Sequence, residues 1–93
     1  MAVHNAEVAE LFNRLADLLE IEGANVIRVR AYRRAAQTIE DLPVSVAEMV
    51  EQGQDLSKLP GIGRDLAGKI EEIVKTGKFT ALEEVTARLP SSL

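Results

Sequence analysis

The stretch Leu59-Pro60-Gly61-Ile62-Gly63 leads into a helical pattern that starts at Arg64. The two glycines allow a tight turn and let a partner approach the backbone closely. The amides of Gly61, Gly63 and Arg64 would then lie at a helix N-terminus, where unpaired N–H groups and the helix dipole favour an anion such as phosphate. The alternative is a connector between two helices that needs glycine only for its geometry.

Lys69, on the helix after this hairpin, is the residue that could do covalent chemistry. It lies about 40° around the helix from Ile73, at the edge of the apolar stripe. Partial burial there would lower its pKa and leave more free amine for attack on an aldehyde, whereas Glu72 would favour the ammonium form. The alternative is a lysine whose stem covers the core while its ammonium stays in water.

Four arginines fall between positions 28 and 34 of a chain whose formal net charge is −4. Arg30, Arg33 and Arg34 would share the helix face opposite the apolar stripe. They form either a solvated surface, the usual fate of a charge run, or a local positive face for phosphates. The ring of Tyr32 should pack in the core, with its hydroxyl free to reach a sugar or phosphate. The candidate phosphate-contacting residues are Arg28, Arg30, Tyr32, Arg33, Arg34, Lys58, Gly61, Gly63 and Arg64.

The composition excludes several kinds of site. The absence of cysteine removes disulfides, Cys-ligated zinc and thiol nucleophiles, and the single histidine, His4, cannot form a multi-His metal site. A pI near 5.0 excludes a protein that is basic throughout, although not one with a basic face. No apolar run reaches the roughly 20 residues that span a bilayer, and no signal peptide is visible. We therefore expect a cytoplasmic protein, associated with the nucleoid if bacterial.

Apolar residues recur at spacings of three and four, and no segment alternates with the period of two that is typical of a strand. The sequence predicts an all-α fold, a compact bundle of four main helices plus a short helix. Because aromatics are only 3% of residues, we expect a core built from Leu, Ile, Val and Ala. If the second helix began before Val29, Arg28 would have to turn inward toward a site. The predicted segments are Asn5 (as N-cap) to about Glu20, about Val29 to Leu42, a short helix capped by Ser45, a turn at 55–58, Arg64 to Thr76 before Gly77, and a last helix opened by a Thr80-Ala81-Leu82-Glu83 capping box.

The order apolar-Pro-Gly-apolar-Gly resembles the helix-hairpin-helix motif of DNA repair and replication proteins, which grips the DNA backbone without reading its sequence. The resemblance covers the chain from about Glu7 to Leu89. Over that length it is similar to the N-terminal domain of family X DNA polymerases, the group that includes polymerase β, and closer to bacterial or archaeal members. The segments that carry the resemblance, in matching order and separation, are Arg30-Ala31-Tyr32-Arg33-Arg34-Ala35-Ala36, the hairpin, Lys69-Ile70 and Thr76-Gly77-Lys78.

The resemblance implies binding to the 5′-phosphate side of a gap in DNA. In some members it also implies a lyase that releases 5′-deoxyribose phosphate through a lysine Schiff base. Lys69 matches the nucleophile, and Arg28 and Tyr32 match phosphate-side and sugar-side positions. The chain departs from the lyase pattern where the family has a histidine, at Ile27, and where it has other basic residues, at Ser57, Asp65 and Ala81.

Members of this family also hold a monovalent cation through hairpin carbonyls, which by position are those of Ser57, Leu59 and Ile62. We expect a single helical DNA-binding domain over residues 1–93, with the helix-hairpin-helix at about 55–76. It should be a monomer with no membrane partner and no required cofactor, apart from Na⁺ or K⁺ at the hairpin. It would be a fragment of a longer polymerase of base excision repair, with the nucleotidyl-transfer carboxylates in a separate catalytic domain. The alternative is a non-catalytic helix-hairpin-helix module that binds DNA or protein.

Overall fold

The computed structural model describes residues 3–89, which form five α-helices and one 3₁₀ turn and contain no β-strand. The all-α prediction, with one short helix beside four longer ones, is confirmed. Across residues 3–89 no helix combines the length and the apolar character needed to cross a bilayer. The elements are α1 (Asn5–Glu22), α2 (Val26–Asp41), α3 (Val46–Glu51), the 3₁₀ turn (Leu56–Lys58), α4 (Arg64–Thr76) and α5 (Thr80–Arg88).

The core is centred on aromatic side chains, which the composition did not suggest. Phe12 of α1 meets Tyr32 of α2 edge to face, with ring centroids 5.6 Å apart, and stacks on Phe79 at 5.3 Å. Such aromatic pairs stabilise by about 0.5–1.5 kcal/mol beyond the area they bury. The expectation of a core built from Leu, Ile, Val and Ala is therefore incomplete, because all three aromatic residues of the chain lie inside it, and the expectation that the Tyr32 ring packs there is confirmed. The largest fully buried aliphatic side chains around them include Leu15, Leu19, Ile39, Leu56, Ile70 and Ile73.

The start of α1 differs from the prediction. His4 is the N-cap, and its N–H donates to Glu7 Oε1 at 2.9 Å. Asn5 is the first helical residue, and its amide instead joins α1 to the start of α3. The side-chain Nδ2 donates to the carbonyl of Val44 at 2.8 Å, and Oδ1 accepts from the N–H of Val46 at 2.8 Å.

The second helix begins three residues earlier than predicted. Asn25 is its N-cap, with Oδ1 accepting from the N–H of Ile27 at 2.7 Å, and Asp41 is its last residue. Arg28 therefore lies inside the first turn of α2, where it is exposed. Both alternatives for Arg28 were wrong, because the helix does not start after it and its side chain does not turn inward.

The N-terminus of α5 is capped by a side chain of α4. Its N-cap is Phe79, which is buried, and the predicted capping box from Thr80 to Glu83 is wrong. The N–H of Thr80 donates to Glu72 Oε2 of α4 at 3.2 Å, and the Thr80 hydroxyl donates to the same carboxylate. The predicted cap of α3 is confirmed, because Ser45 Oγ accepts from Glu48, and Gly77 ends α4 with φ of 74°.

Candidate nucleic-acid interface

The hairpin between the 3₁₀ turn and α4 is a compact turn with an apolar plug. The N–H of Ile62 donates to the carbonyl of Leu59 at 3.1 Å, and the Ile62 side chain is buried in the core. Gly61 has φ of 74°, in the left-handed region that favours glycine. The turn therefore fixes the direction in which α4 begins.

The hairpin is fastened to α2 by two contacts. The hydroxyl of Thr38 donates to the carbonyl of Pro60 at 2.8 Å. The side chain of Arg34 lies against Gly61, so closely that a methyl group on Gly61 would be 2.9 Å from Arg34 Nε and 3.0 Å from its Cγ. Because Gly61 has no side chain, Arg34 can pack against the hairpin.

The N-terminus of α4 is open. Gly63 is its N-cap with φ of −89°, a value that other residues also adopt, and a Cβ there would meet no atom within 4 Å. Within residues 3–89, the N–H groups of Gly61, Gly63 and Arg64 donate no hydrogen bond. The fold itself does not require glycine at position 63, and the free donors suit an anion.

The predicted arginine face is divided between two neighbours. Arg33 turns toward α1, where its guanidinium pairs with Asp17 at 2.9 Å and Glu20 at 3.2 Å. The hydrogen bond to Asp17 raises the pKa of Arg33 further above its ordinary value. Arg34 faces the hairpin instead, so the three arginines do not act as one surface. Arg33 joins two helices and is poorly placed to bind an external phosphate.

The remaining basic residues of the predicted interface are free to meet a ligand. They are all exposed, and across residues 3–89 none of them makes an ion pair. Arg30 lies one turn before Arg34 on the same side of α2, so the positive charge continues from the hairpin contact along that helix. The members of this set are Arg28, Arg30, Arg34, Lys58 and Arg64.

Lys69 is partly buried, with 23% of its side chain exposed, and its Nζ lies 2.9 Å from Asp65 Oδ1. Burial lowers its pKa, but the hydrogen bond that Lys69 donates to Asp65 and the nearby Tyr32 outweigh burial, so the pKa is raised. The expected lowering by burial is present but does not decide the direction of the shift in pKa. The expected partner was wrong, because Glu72 is engaged by Thr80.

Tyr32 connects the core to this lysine. The residue is only 3% exposed, as expected for a ring that packs in the core, and its side chain is close enough to Lys69 to raise the lysine pKa. Arg28 lies elsewhere, near Glu22. The pKa of Glu22 is lowered chiefly by its hydrogen bond to Arg88, and the charge of Arg28 adds to that effect.

The carbonyls predicted to hold a cation differ in whether they already accept a hydrogen bond. The carbonyl of Leu59 accepts from Ile62, whereas those of Ser57 and Ile62 accept no hydrogen bond from residues 3–89. Ser57 is oriented by Asp55, which accepts from both its hydroxyl and its N–H, and these bonds lower the pKa of Asp55. Over the described residues, no cluster of His, Asp and Glu side chains is arranged to hold a metal ion.

Two residues of this region were not identified as partners from the sequence. The spacing of Asp65 and Lys69, four residues apart on one helix, was a sufficient signal for their ion pair. Thr38 left no such signal, because its bond to Pro60 depends on how α2 meets the hairpin. Ile27, which stands where the family has a histidine, is 73% exposed.

Comparisons with known proteins agree with this geometry. A family described as "Helix-hairpin-helix domain" matches residues 3–79. The DNA polymerase/3′-5′ exonuclease PolX of Bacillus subtilis (strain 168) is 31% identical over 91 residues, covering 98% of this chain and 15% of that protein. DNA polymerase lambda of Arabidopsis thaliana is 37% identical over 79 residues, covering 85% of this chain and 14% of that protein.

The chain thus spans about one seventh of the length of these curated relatives. The family match includes the hairpin, α4 and the buried Phe79 at which α5 begins. The chain belongs to the helix-hairpin-helix domain family, in the form carried by family X DNA polymerases.

Proposed function

We propose that this chain is the DNA-binding domain of a family X DNA polymerase and grips the backbone at the 5′-phosphate side of a gap. The chain belongs to a helix-hairpin-helix domain family, and its two relatives are named as DNA polymerases. Both facts support a role on DNA. The observation that carries the proposal is the open N-terminus of α4, with free N–H groups and no side chain at Gly63. The nucleotidyl transfer of the longer protein would belong to a separate catalytic domain.

The proposed grip combines backbone donors with two arginines. A phosphate at the start of α4 would accept from the N–H groups of Gly63 and Arg64 and be stabilised by the helix dipole. Arg34, lying on Gly61, and Arg30, one turn along α2, would neutralise neighbouring phosphates and release counterions. Because every nucleotide carries the same phosphate, such a grip is independent of base sequence.

A monovalent cation would fit the hairpin beside this grip. The carbonyls of Ser57 and Ile62 are without donors from residues 3–89, and Leu59 has a second lone pair. Na⁺ or K⁺ bound there would add positive charge next to the phosphate. The carbonyl oxygens are suitable ligands for such hard cations.

Replacing Gly63 with Asn tests the grip directly. Asn is a favoured N-cap, so Gly63→Asn should leave the free energy of unfolding unchanged or raise it. It should nevertheless weaken DNA binding by about tenfold or more, because the side chain fills the space of a phosphate contact worth roughly 1.5–3 kcal/mol. Fluorescence anisotropy with a 5′-phosphorylated gapped duplex at two salt concentrations measures the affinity, and urea unfolding measures the stability.

Arg33 and Arg34 are adjacent in the sequence but contact different elements, so their alanine variants can be compared directly. Arg34→Ala should weaken binding and make the dependence on salt shallower by about one counterion. Arg33→Ala should cost at most about 1 kcal/mol of stability, as exposed ion pairs do, and leave DNA affinity nearly unchanged.

Equal affinity of Gly63→Asn and wild type for DNA would contradict the proposed phosphate contact at the start of α4. Absence of DNA binding at low salt would favour the protein-interaction module instead.

A second candidate function is removal of 5′-deoxyribose phosphate. It is favoured by the position of Lys69, partly buried beside Tyr32 on the helix after the hairpin. The neutral amine would attack the sugar aldehyde and form a Schiff base with loss of water. β-Elimination would then transfer a C2′ proton to water and break the C3′–O bond, which leaves a 5′-phosphate on the DNA. Hydrolysis of the imine would release the unsaturated sugar phosphate and free Lys69. Because the ion pair with Asp65 keeps Lys69 protonated, only a small fraction is reactive at neutral pH.

Borohydride trapping on a gapped duplex with a 5′-deoxyribose phosphate tests this candidate. An adduct is expected with wild type, with a yield that rises with pH because a raised pKa is titrated only at high pH. The adduct should be lost in Lys69→Ala and kept in Lys75→Ala, which removes a more exposed lysine of the same helix. DNA binding without an adduct would refute the lyase and leave the DNA-binding proposal intact.

A further inference from the structure

Asp65 occupies an unusual place for an acidic residue in a DNA-binding surface. It lies in the first turn of α4, two residues after Gly63, with 80% of its side chain exposed. Its Oδ1 is 2.9 Å from Lys69 Nζ, which is mostly covered. Arg64 directly precedes it in the sequence.

This place is the one that a phosphate would take. A carboxylate in the first turn is stabilised by the same helix dipole that attracts an external anion. Lys69 is a partner that both anions would share. A phosphate close to α4 would also repel the Asp65 carboxylate, since the two charges have the same sign.

We propose that Asp65 is an internal substitute for the DNA phosphate: in the free domain it pairs with Lys69 beside the open N-terminus of α4, and an incoming phosphate displaces it from the lysine. The inference rests on the proposed function, because it assigns a competitor to the same site. Asp65 is then a positioning residue, which keeps Lys69 protonated and lowers the affinity for DNA until a phosphate replaces it.

The groups that face Lys69 are few. Asp65 contacts it from the same helix, and Tyr32 approaches it from α2. Burial favours the neutral amine, whereas both of these neighbours favour the ammonium. Removing the charge of Asp65 leaves burial opposed by Tyr32 alone, so the fraction of neutral amine should increase.

The test compares Asp65→Asn with Glu71→Gln. Glu71 is the matched control, because its Oε1 lies 3.8 Å from Lys75 Nζ in the other four-residue pair of α4, and its replacement removes the same charge. The first measurement is reductive alkylation of Lys69 by formaldehyde and cyanoborohydride, resolved by peptide mass spectrometry over a series of pH values. The second is binding to a gapped duplex with and without a 5′-phosphate.

Asp65→Asn should increase alkylation of Lys69 by about twofold or more at neutral pH, the size expected from an exposed ion pair between residues four apart. It should also strengthen binding to the phosphorylated duplex, whereas Glu71→Gln should change neither quantity to that extent. Unchanged alkylation of Lys69 would overturn the inference whatever the DNA result. DNA binding that improves equally in both variants would overturn the displacement by phosphate. Absence of DNA binding in every protein would instead overturn the proposed function, and the alkylation result would still decide whether Asp65 holds Lys69.

Discussion

Gly61 and Gly53 have nearly the same backbone conformation in different surroundings. Their φ values are 74° and 73°, but a Cβ on Gly61 would meet Arg34, whereas one on Gly53 would meet nothing within 4 Å. We expect Gly61→Ala and Gly53→Ala each to cost about 1–2 kcal/mol of stability, because alanine is strained in the left-handed region. Only Gly61→Ala should also weaken DNA binding, because it displaces Arg34 from the hairpin.

Urea unfolding and anisotropy on both variants check this prediction. Arg34 is exposed and can move aside, so the steric contact should add little to the stability cost. If the two alanine variants bound DNA equally well, the contact between Arg34 and Gly61 would have no part in DNA binding. A much larger loss of stability in Gly61→Ala would mean that Arg34 cannot move.

Single residues of the site differed in how far the sequence could predict them. The pair Asp65–Lys69 is local, since residues four apart on a helix are neighbours. The division of the arginines is not local. The periodicity of α2 places Arg33 on the same face as Arg34. Arg33 instead forms ion pairs with Asp17 and Glu20, and these pairs depend on how α1 packs against α2.

The ends of α1 and α5 are joined by one ion pair with two hydrogen bonds. Arg88 Nε donates to Glu22 Oε2 at 2.9 Å, and its second nitrogen donates to Oε1 at 3.1 Å. The hydrogen bond from Arg88 lowers the pKa of Glu22 below its ordinary value of 4.5. A carboxylate with a lowered pKa stabilises the fold above the ordinary value, and this contribution is lost as the pH falls through the folded pKa.

Arg88→Ala should therefore be less stable than wild type at neutral pH, and the difference should narrow as the pH falls below 4.5. Urea unfolding of both proteins across this range measures the difference. Lys75→Ala, which breaks a longer contact within α4, is the control and should show a smaller effect. A difference that stayed constant down to low pH would show that Arg88 acts through packing and not through Glu22.

Helix existence and order followed from the apolar pattern, whereas the starts of α1, α2 and α5 did not. The first turn of α2 exposes Val26 and Ile27, so it carries no buried residue for the pattern to detect. The signal that marks its start is Asn25, an N-cap residue. The cap of α5 comes from Glu72, eight residues upstream on another helix, and no local rule contains that contact.

For the whole molecule, the decisive contacts are those between α2 and the hairpin. The net charge of −4 excluded a generally basic protein, yet it left open whether any face could attract DNA. The hydrogen bond from Thr38 to Pro60 and the contact of Arg34 with Gly61 join segments more than twenty residues apart in the chain. They bring the exposed arginines beside the open end of α4, which the sequence predicted only through its resemblance to a family.

The buried Tyr32 has a practical consequence for experiments on this domain. It is the only tyrosine, and the chain has no tryptophan, so the intrinsic fluorescence of the protein comes almost entirely from this one ring. The same ring meets Phe12 in the core and lies beside Lys69. We therefore expect its emission to follow unfolding of the core without any label, and we expect its intensity to change when the Asp65–Lys69 pair beside it is broken.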